Sequence, residues 1–101
     1  MITLVAKLTA AEGKADELKA VLSQMVADVA AAEKGPVACY SLHTSDTDPN
    51  VFLFYEQYAS KEAVDAHGKT PHMAAMGGKL AAGKLLAGRP VIERFTQIAG
   101  I

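Results

Sequence analysis

Three histidines are the side chains of this chain best suited to proton transfer near neutral pH. They are His43, His67 and His72. His67 follows the predicted helix cap Ser60 by seven residues and so ends a short helix, where it acts either as a base or as a cation that stabilises the helix C-terminus. His72 comes directly after Pro71 at a predicted helix start, where a cation is disfavoured, so we expect a neutral imidazole that contacts a ligand or solvent.

The spacing of the histidines argues against a metal site. His67 and His72 are five residues apart across a predicted helix break, which is not the i, i+4 spacing that places two ligands on one helix face. His43 lies in a predicted strand, on the face opposite to Tyr40, and is either a substrate contact or an exposed residue at the strand end. We therefore expect no bound metal and keep the three histidines as candidates for catalysis or substrate binding.

Two further candidates are a carboxylate and a methionine. Glu56 is the only charged residue in the most apolar segment, 51–58 (VFLFYEQY), and a buried carboxylate needs a partner. We predict that Glu56 has a supporting role, as the anchor of a neighbouring histidine or of Arg94, in preference to direct proton transfer. Met76, like Met73, either packs in the core or lines the site of a flat hydrophobic ligand.

The composition excludes several classes of protein. Ten Lys and Arg residues against eleven Asp and Glu residues give a net charge of −1, without the basic stripe that binds nucleic acid. The single cysteine, Cys39, cannot form an internal disulfide or a two-cysteine site. Neither a membrane-spanning run nor a signal peptide is evident in the sequence. We expect one domain, residues 1–101, in the cytoplasm, with no nucleic-acid or membrane partner.

The order of strand and helix patterns predicts the frame that positions these residues. Strand patterns cover residues 2–9, 37–44, 51–58 and 90–98, and helical patterns cover residues 14–34, 60–68 and 70–87. In the first helix, apolar residues such as Leu18, Leu22 and Met25 recur every three or four positions, which indicates one stripe packed on a sheet. With the last two helices counted as one crossover, the order is that of the ferredoxin-like βαββαβ fold. We predict an α+β domain with a four-stranded antiparallel sheet and helices on one face.

The third strand pattern predicts a partner for the free face of that sheet. Val51, Leu53 and Tyr55 point to one side of the strand, whereas Phe52 and its even-numbered neighbours point to the other. A strand with two apolar faces is normally buried on both sides, but the helices of one chain cover only one. A second copy of the sheet is the simplest cover, so we expect a homodimer with facing sheets.

Several of these residues also form a recurring pattern. It consists of Phe54-x-Glu56-x-Tyr58-x-Ser60-x-Glu62-Ala63-x-x-x-His67 followed by Thr70-Pro71-His72-Met73. An earlier segment, with Glu33, Gly35 and Tyr40, fits a Glu-Pro-Gly…Tyr pattern except that the proline follows the glycine, at Pro36. Over essentially its whole length the chain resembles the antibiotic biosynthesis monooxygenase (ABM) domain family, and the Thr-Pro-His-Met run is most similar to the quinol monooxygenase branch.

The resemblance implies a dimeric α/β barrel with a pocket between sheet and helices in each subunit. It also implies oxidation of phenols, anthrones or hydroquinones by O₂, without flavin, haem or metal. By position, His67 would be the base or a ligand contact. Tyr40, Tyr58 and His72 would orient the ring of the substrate, and Glu56 would support the site from behind.

The resemblance therefore favours a cofactor-independent monooxygenase that acts on a small quinol or phenol. The residues alone contain no strong catalytic motif, so two other functions remain open. One is a non-catalytic dimeric barrel domain that binds a small hydrophobic ligand or partner. The other is an isomerase or lyase for a small carbonyl compound, with His67 as the proton shuttle.

Overall fold

A computed structural model describes all 101 residues and has the predicted ferredoxin-like βαββαβ fold. The strands are β1 (Ile2–Thr9), β2 (Val37–Thr44), β3 (Val51–Tyr58) and β4 (Val91–Thr96), and the helices are α1 (Ala15–Ala32), α2 (Lys61–Gly68) and α3 (Pro71–Ala82). The four strands form one antiparallel sheet in the order β2-β3-β1-β4. The bounds of β1, β2 and β3 agree with the sequence prediction to the residue.

Helix α1 forms the core with the sheet through the stripe that its sequence predicts. Leu18 and Leu22 are completely buried, and Met25 is 1% exposed. They pack in one cluster with Phe52 and Phe54 of β3. Complete burial of a leucine side chain stabilises a fold by roughly 1.5–3 kcal/mol, so this layer is a major source of stability.

The starts of α2 and α3 confirm the predicted helix caps. The Ser60 hydroxyl accepts a hydrogen bond from the Ala63 amide at 3.2 Å, and the Thr70 hydroxyl accepts one from the Met73 amide at 3.3 Å. Pro71 occupies the first turn of α3, where its missing N–H leaves no hydrogen bond unmade. These caps set the direction of both helices where they carry the candidate histidines.

Helix α3 is shorter than its sequence pattern predicts. It ends at Ala82, whereas the pattern continues to Ala87. Beyond the helix, Leu85 turns into the core and is only 2% exposed. The Leu85 carbonyl accepts from the Ala11 amide at 2.8 Å, and the Ala87 amide donates to the Thr9 carbonyl at 2.8 Å. Pairing with the end of β1 and burial of Leu85 therefore outweigh continuation of an alanine-rich helix.

The two faces of the sheet differ as the alternation in β3 predicts. Phe52, Phe54 and Tyr58 are buried under the helices, and Val51 and Leu53 are half-buried on the opposite face. Strand β4 is exposed at every residue. No helix of the structure is both long and apolar enough to cross a membrane.

Candidate functional site

A cavity of about 330 Å³ lies between α3 and the sheet. Its floor comes from β1 and β3, and its roof from α2 and α3, whose Met73, Met76 and Leu80 line it. In contrast to α1, α3 has no buried residue above this space. Most of the lining is apolar, and only Tyr40, Glu56 and His67 contribute polar side-chain atoms. An apolar space with a few convergent polar groups is typical of a small-molecule site.

His67 is held from one side and open on the other. Its Nδ1 lies 3.0 and 3.1 Å from the two carboxylate oxygens of Glu33. The other ring nitrogen, Nε2, has no hydrogen-bond partner in the protein. Every fully buried side-chain nitrogen or oxygen of the structure does have such a partner. Nε2 is therefore not fully buried, and the open space that His67 lines is the cavity. An imidazole with one anchored and one free nitrogen is arranged to accept or donate a proton at the free one.

Glu33 also binds the second histidine of the region. The Nε2 atom of His72 lies 2.6 Å from Oε2 of Glu33. Glu33 follows the last residue of α1, His67 lies near the end of α2, and His72 is in the first turn of α3. One carboxylate thus joins three helix ends. The three side chains are arranged as hydrogen-bond partners, and no group of three or more His, Cys, Asp or Glu side chains in the structure is placed to hold a metal ion.

Glu33 was matched to a family pattern but was not predicted as a site residue. One signal in the sequence places it correctly: Glu33 follows Val29 by four residues and so continues the buried stripe of α1. An acidic residue at the end of an apolar stripe faces the protein interior and needs a partner there. The identity of that partner depends on residues 34 and 39 positions further along the chain.

Glu56 is buried on the cavity side of β3, but its partner differs from the prediction. Oε1 accepts a hydrogen bond from the Tyr58 hydroxyl at 2.5 Å, because residues two apart on a strand share a face. Arg94 is not the partner, since it and Glu56 pair with Leu4 from opposite sides and no salt bridge joins them. No histidine is hydrogen-bonded to Glu56 either. The expected anchor of a histidine or of Arg94 is therefore wrong, and the partner is Tyr58.

Burial sets the protonation of Glu56. Loss of solvation raises the pKa of the Glu56 carboxyl, while the Tyr58 hydrogen bond and the charge of a protonated His67 oppose that rise. No further bond to Glu56 is found, and every fully buried side-chain oxygen has a partner, so Oε2 is not fully buried; Glu56 itself lines the cavity. Glu56 therefore offers a bound hydroxyl group a second polar contact besides His67.

Tyr40 and Tyr58 flank His67 as uncharged phenols. Their ring centroids lie 5.3 and 5.5 Å from that of His67. Burial is the main cause that raises the pKa of each phenol, and the hydrogen bond to Glu56 raises the pKa of Tyr58 further. Both side chains therefore stay protonated at neutral pH, when they can donate hydrogen bonds but cannot act as bases.

The structure brings together most of the site residues predicted from the sequence. Tyr40, Glu56, His67 and Met76 line the cavity. Tyr58 and His72, which were predicted to orient the substrate ring, do not line it; their polar atoms are bonded to Glu56 and Glu33, so the predicted contacts are wrong for this cavity.

His43 stands apart from the other predicted site residues. It pairs with Leu53 in the sheet register and bonds to the Ser41 hydroxyl at 2.9 Å. Leu53 belongs to the sheet face opposite to the cavity, because alternate residues of a strand point to opposite sides. His43 therefore cannot contact a ligand bound under α3, and the predicted substrate contact at this residue is wrong for this cavity.

Comparison with known proteins identifies relatives of this architecture. Residues 1–78 match the family model described as antibiotic biosynthesis monooxygenase. A Caulobacter crescentus protein, described as a candidate antibiotic biosynthesis monooxygenase, is 35% identical; the match covers 97% of this chain and 90% of that one, with a TM-score of 0.88. The Pseudomonas aeruginosa protein PA3566 is 30% identical over 97% of this chain and 94% of its own, with a TM-score of 0.86.

More distant structures share the fold. Rv0793 from Mycobacterium tuberculosis is 20% identical over 98% of this chain and 96% of its own, with a TM-score of 0.86. Among curated proteins, none matches the chain. The family match covers more than half of the chain, and two solved structures with at least 30% identity span nearly all of it. The chain belongs to the antibiotic biosynthesis monooxygenase family.

Proposed function

We propose that the protein is a cytoplasmic monooxygenase that oxidises a small quinol or phenol with O₂, without a bound cofactor, and that His67 is the base. The observation that carries this proposal is the free Nε2 of His67 at an apolar cavity, with Nδ1 held by Glu33. Membership of the monooxygenase family supports the same reaction class.

The proposed reaction starts with removal of a proton. His67 Nε2 takes the proton of a substrate hydroxyl, and the resulting electron-rich anion transfers an electron to O₂. The two radicals combine, so that a ring carbon bonds to one oxygen atom. Cleavage of the O–O bond leaves that atom on the ring, and the other leaves as water with two protons from the substrate. For a hydroquinone, the products are a hydroxyquinone and one water molecule, and all four electrons that reduce O₂ come from the substrate.

The cavity suits the parts of such a substrate. Its apolar walls fit an aromatic ring, and His67, Glu56 and Tyr40 provide polar contacts for oxygen substituents. A volume of about 330 Å³ is close to the lower end of the roughly 300–1,000 Å³ typical of ligand sites. The proposed substrate is therefore a small aromatic molecule of one or two fused rings.

We further propose that two copies pair through the sheet face opposite to the cavity. On that face Val51, Leu53 and Tyr55 are half-buried, and Val91 and Phe95 of β4 are 57% and 49% exposed. A second sheet would remove these apolar groups from water. Sedimentation equilibrium at micromolar concentration should give a mass near 21 kDa, twice that of the 10.6 kDa chain. A stable monomer would exclude this pairing.

Oxygen uptake tests the enzymatic proposal. The wild-type protein and a H67A variant are compared on a panel of hydroquinones and naphthoquinols, with autoxidation subtracted. We expect turnover by the wild-type protein and a loss of about 10²- to 10⁴-fold in H67A, the usual contribution of a general base. E17Q is the control, because Glu17 is an exposed residue of α1 away from the cavity and from the proposed pairing face, and it should keep wild-type activity.

Three results would contradict this assignment in different ways. Equal activity in folded H67A and wild-type protein would remove His67 from the mechanism. Ligands that bind and raise the melting temperature without being consumed would favour the non-catalytic binding domain. Product formation from a carbonyl compound in the absence of O₂ would favour the isomerase or lyase.

A further inference from the structure

We infer that Glu33 is a positioning residue for His67: it holds the proton of the neutral imidazole on Nδ1 and so leaves Nε2 as the bare acceptor that faces the cavity. The inference rests on the proposed function for its catalytic meaning, but the proton position is a property of the protein alone. Nothing in the sequence prediction assigned Glu33 a role in proton transfer.

The first step of the argument is the chemistry of the bond. An ionised carboxylate can only accept hydrogen bonds, so the His67 nitrogen that it contacts must donate. That nitrogen is Nδ1, at 3.0 and 3.1 Å from the two oxygens. A neutral imidazole carries one proton, and the partner of one ring nitrogen decides where it resides. The lone pair is then on Nε2, the atom without a protein partner.

The second step is the rigidity of the carboxylate. His72 Nε2 contacts Oε2 of Glu33 at 2.6 Å, and by the same rule it donates. The Glu33 side chain is 10% exposed, against 5% for His67 and 13% for His72, so water competes little for these bonds. With donors on two sides, the carboxylate has little freedom to turn away from His67.

The third step is the charge that forms during the reaction. When His67 accepts a substrate proton, it becomes an imidazolium in direct contact with the Glu33 carboxylate. Opposite charges in a poorly solvated site attract strongly, so Glu33 stabilises this state as well as orienting the ring. Glu33 does not line the cavity and touches no substrate. Its loss should therefore lower kcat more than it raises KM.

The direct test is the position of the proton in the His67 ring. Long-range ¹H–¹⁵N correlation spectra of the ¹⁵N-labelled protein, recorded where the imidazoles are neutral, distinguish the two tautomers. We expect a protonated Nδ1 and an unprotonated Nε2 in the wild-type protein, and loss of that preference in E33M, which removes the acceptor at similar size. A wild-type His67 protonated on Nε2, or an unchanged Nδ1–H tautomer in folded E33M, would overturn the inference.

A kinetic measurement separates this inference from the proposed function. If quinols are turned over, E33Q should lower kcat about 10- to 100-fold, because an amide has one acceptor oxygen for two histidine donors and carries no charge. E17Q, an exposed substitution on α1, is the matched control and should keep wild-type kcat. An E33Q variant with wild-type kcat would refute the catalytic role of Glu33. If no quinol is turned over, the tautomer of His67 still tests the positioning role of Glu33. The spectrum of the wild-type protein alone provides this test when E33M fails to fold.

Discussion

The two ends of the helical layer cover the same sheet in different ways. Helix α1 buries Leu18, Leu22, Met25 and Val29 to 3% exposure or less. Helix α3 buries no residue and leaves a cavity of about 330 Å³ above β1 and β3. A single fold thus combines a close-packed half, which supplies stability, with an open half, which supplies space for a ligand.

Both helices turn large side chains toward the sheet, with different results. The stripe of α1 carries large side chains at spacings of three and four, which fill the gap between helix and sheet. The side of α3 that faces the sheet also carries large residues, Met73, Met76 and Leu80, but they stay part-exposed and line the cavity, while the small residues of this helix are exposed. Large side chains thus fill the space between helix and sheet under α1 but line an open space under α3, within one fold.

Two methionines provide the sharpest test of this contrast. Met25 is 1% exposed in the core, whereas Met76 lines the cavity. M25A should lower the free energy of unfolding by about 2–5 kcal/mol, because the substitution creates a new void. M76A enlarges an existing space and should cost less than about 1 kcal/mol. Urea unfolding of both variants measures the difference, and equal losses would show that the two halves are packed alike.

Glycines of the α3 region give a second, smaller comparison. A Cβ at Gly77 or Gly78 would meet no atom within 4 Å, so G77A and G78A should each stabilise the protein by about 0.5–1 kcal/mol through helix propensity. A Cβ at Gly83 would come within 2.9 Å of the side chain of Leu85, which is buried. G83A should therefore destabilise the protein. The melting temperatures of the three variants show whether each substitution stabilises or destabilises the protein. Destabilisation by G77A would mean that α3 packs more tightly than described.

The third prediction concerns Glu56 and pH. Burial raises the pKa of the Glu56 carboxyl above its ordinary value of 4.5, so at intermediate pH the folded state holds a proton that the unfolded chain has released. The contribution of Glu56 to stability is therefore largest below about pH 4.5 and falls as the pH rises through the raised pKa.

The isosteric variant E56Q isolates this contribution, since Gln still accepts from the Tyr58 hydroxyl. The free energy of unfolding of the wild-type protein, relative to E56Q, should fall with rising pH by at most about 1.4 kcal/mol per pH unit. Denaturant unfolding of both proteins from pH 4 to pH 8 gives the two curves. A constant difference between them would show that the environment of Glu56 does not disfavour its charge.

The sequence predicts the framework well because its signals are local. Alternation in β3 and the caps Ser60 and Thr70 depend on neighbouring residues, and the structure confirms them. The predicted end of α3 lies five residues beyond the observed one. Burial of Leu85 and its pairing with β1 are tertiary effects that no local pattern reports.

The site is predicted less completely, because its contacts link distant parts of the chain. His67, Tyr40 and Met76 line the cavity, and so does Glu56, which was expected behind it; the role of Glu33 depends on residues far along the sequence. His43 is excluded by strand parity, which the sequence already showed when it placed His43 opposite to Tyr40.

Labelling of the methionine methyl groups tests most directly whether the space under α3 is a ligand site. The ¹³C-methyl signals of Met25, Met73 and Met76 report on the core and on the cavity in one spectrum. On titration with a naphthoquinone, an oxidised analogue that is not turned over, we predict that Met73 and Met76 shift in a saturable manner while Met25 stays in place. Shifts at Met25 alone, or no saturable shift at Met73 and Met76 at any soluble concentration, would contradict a site under α3.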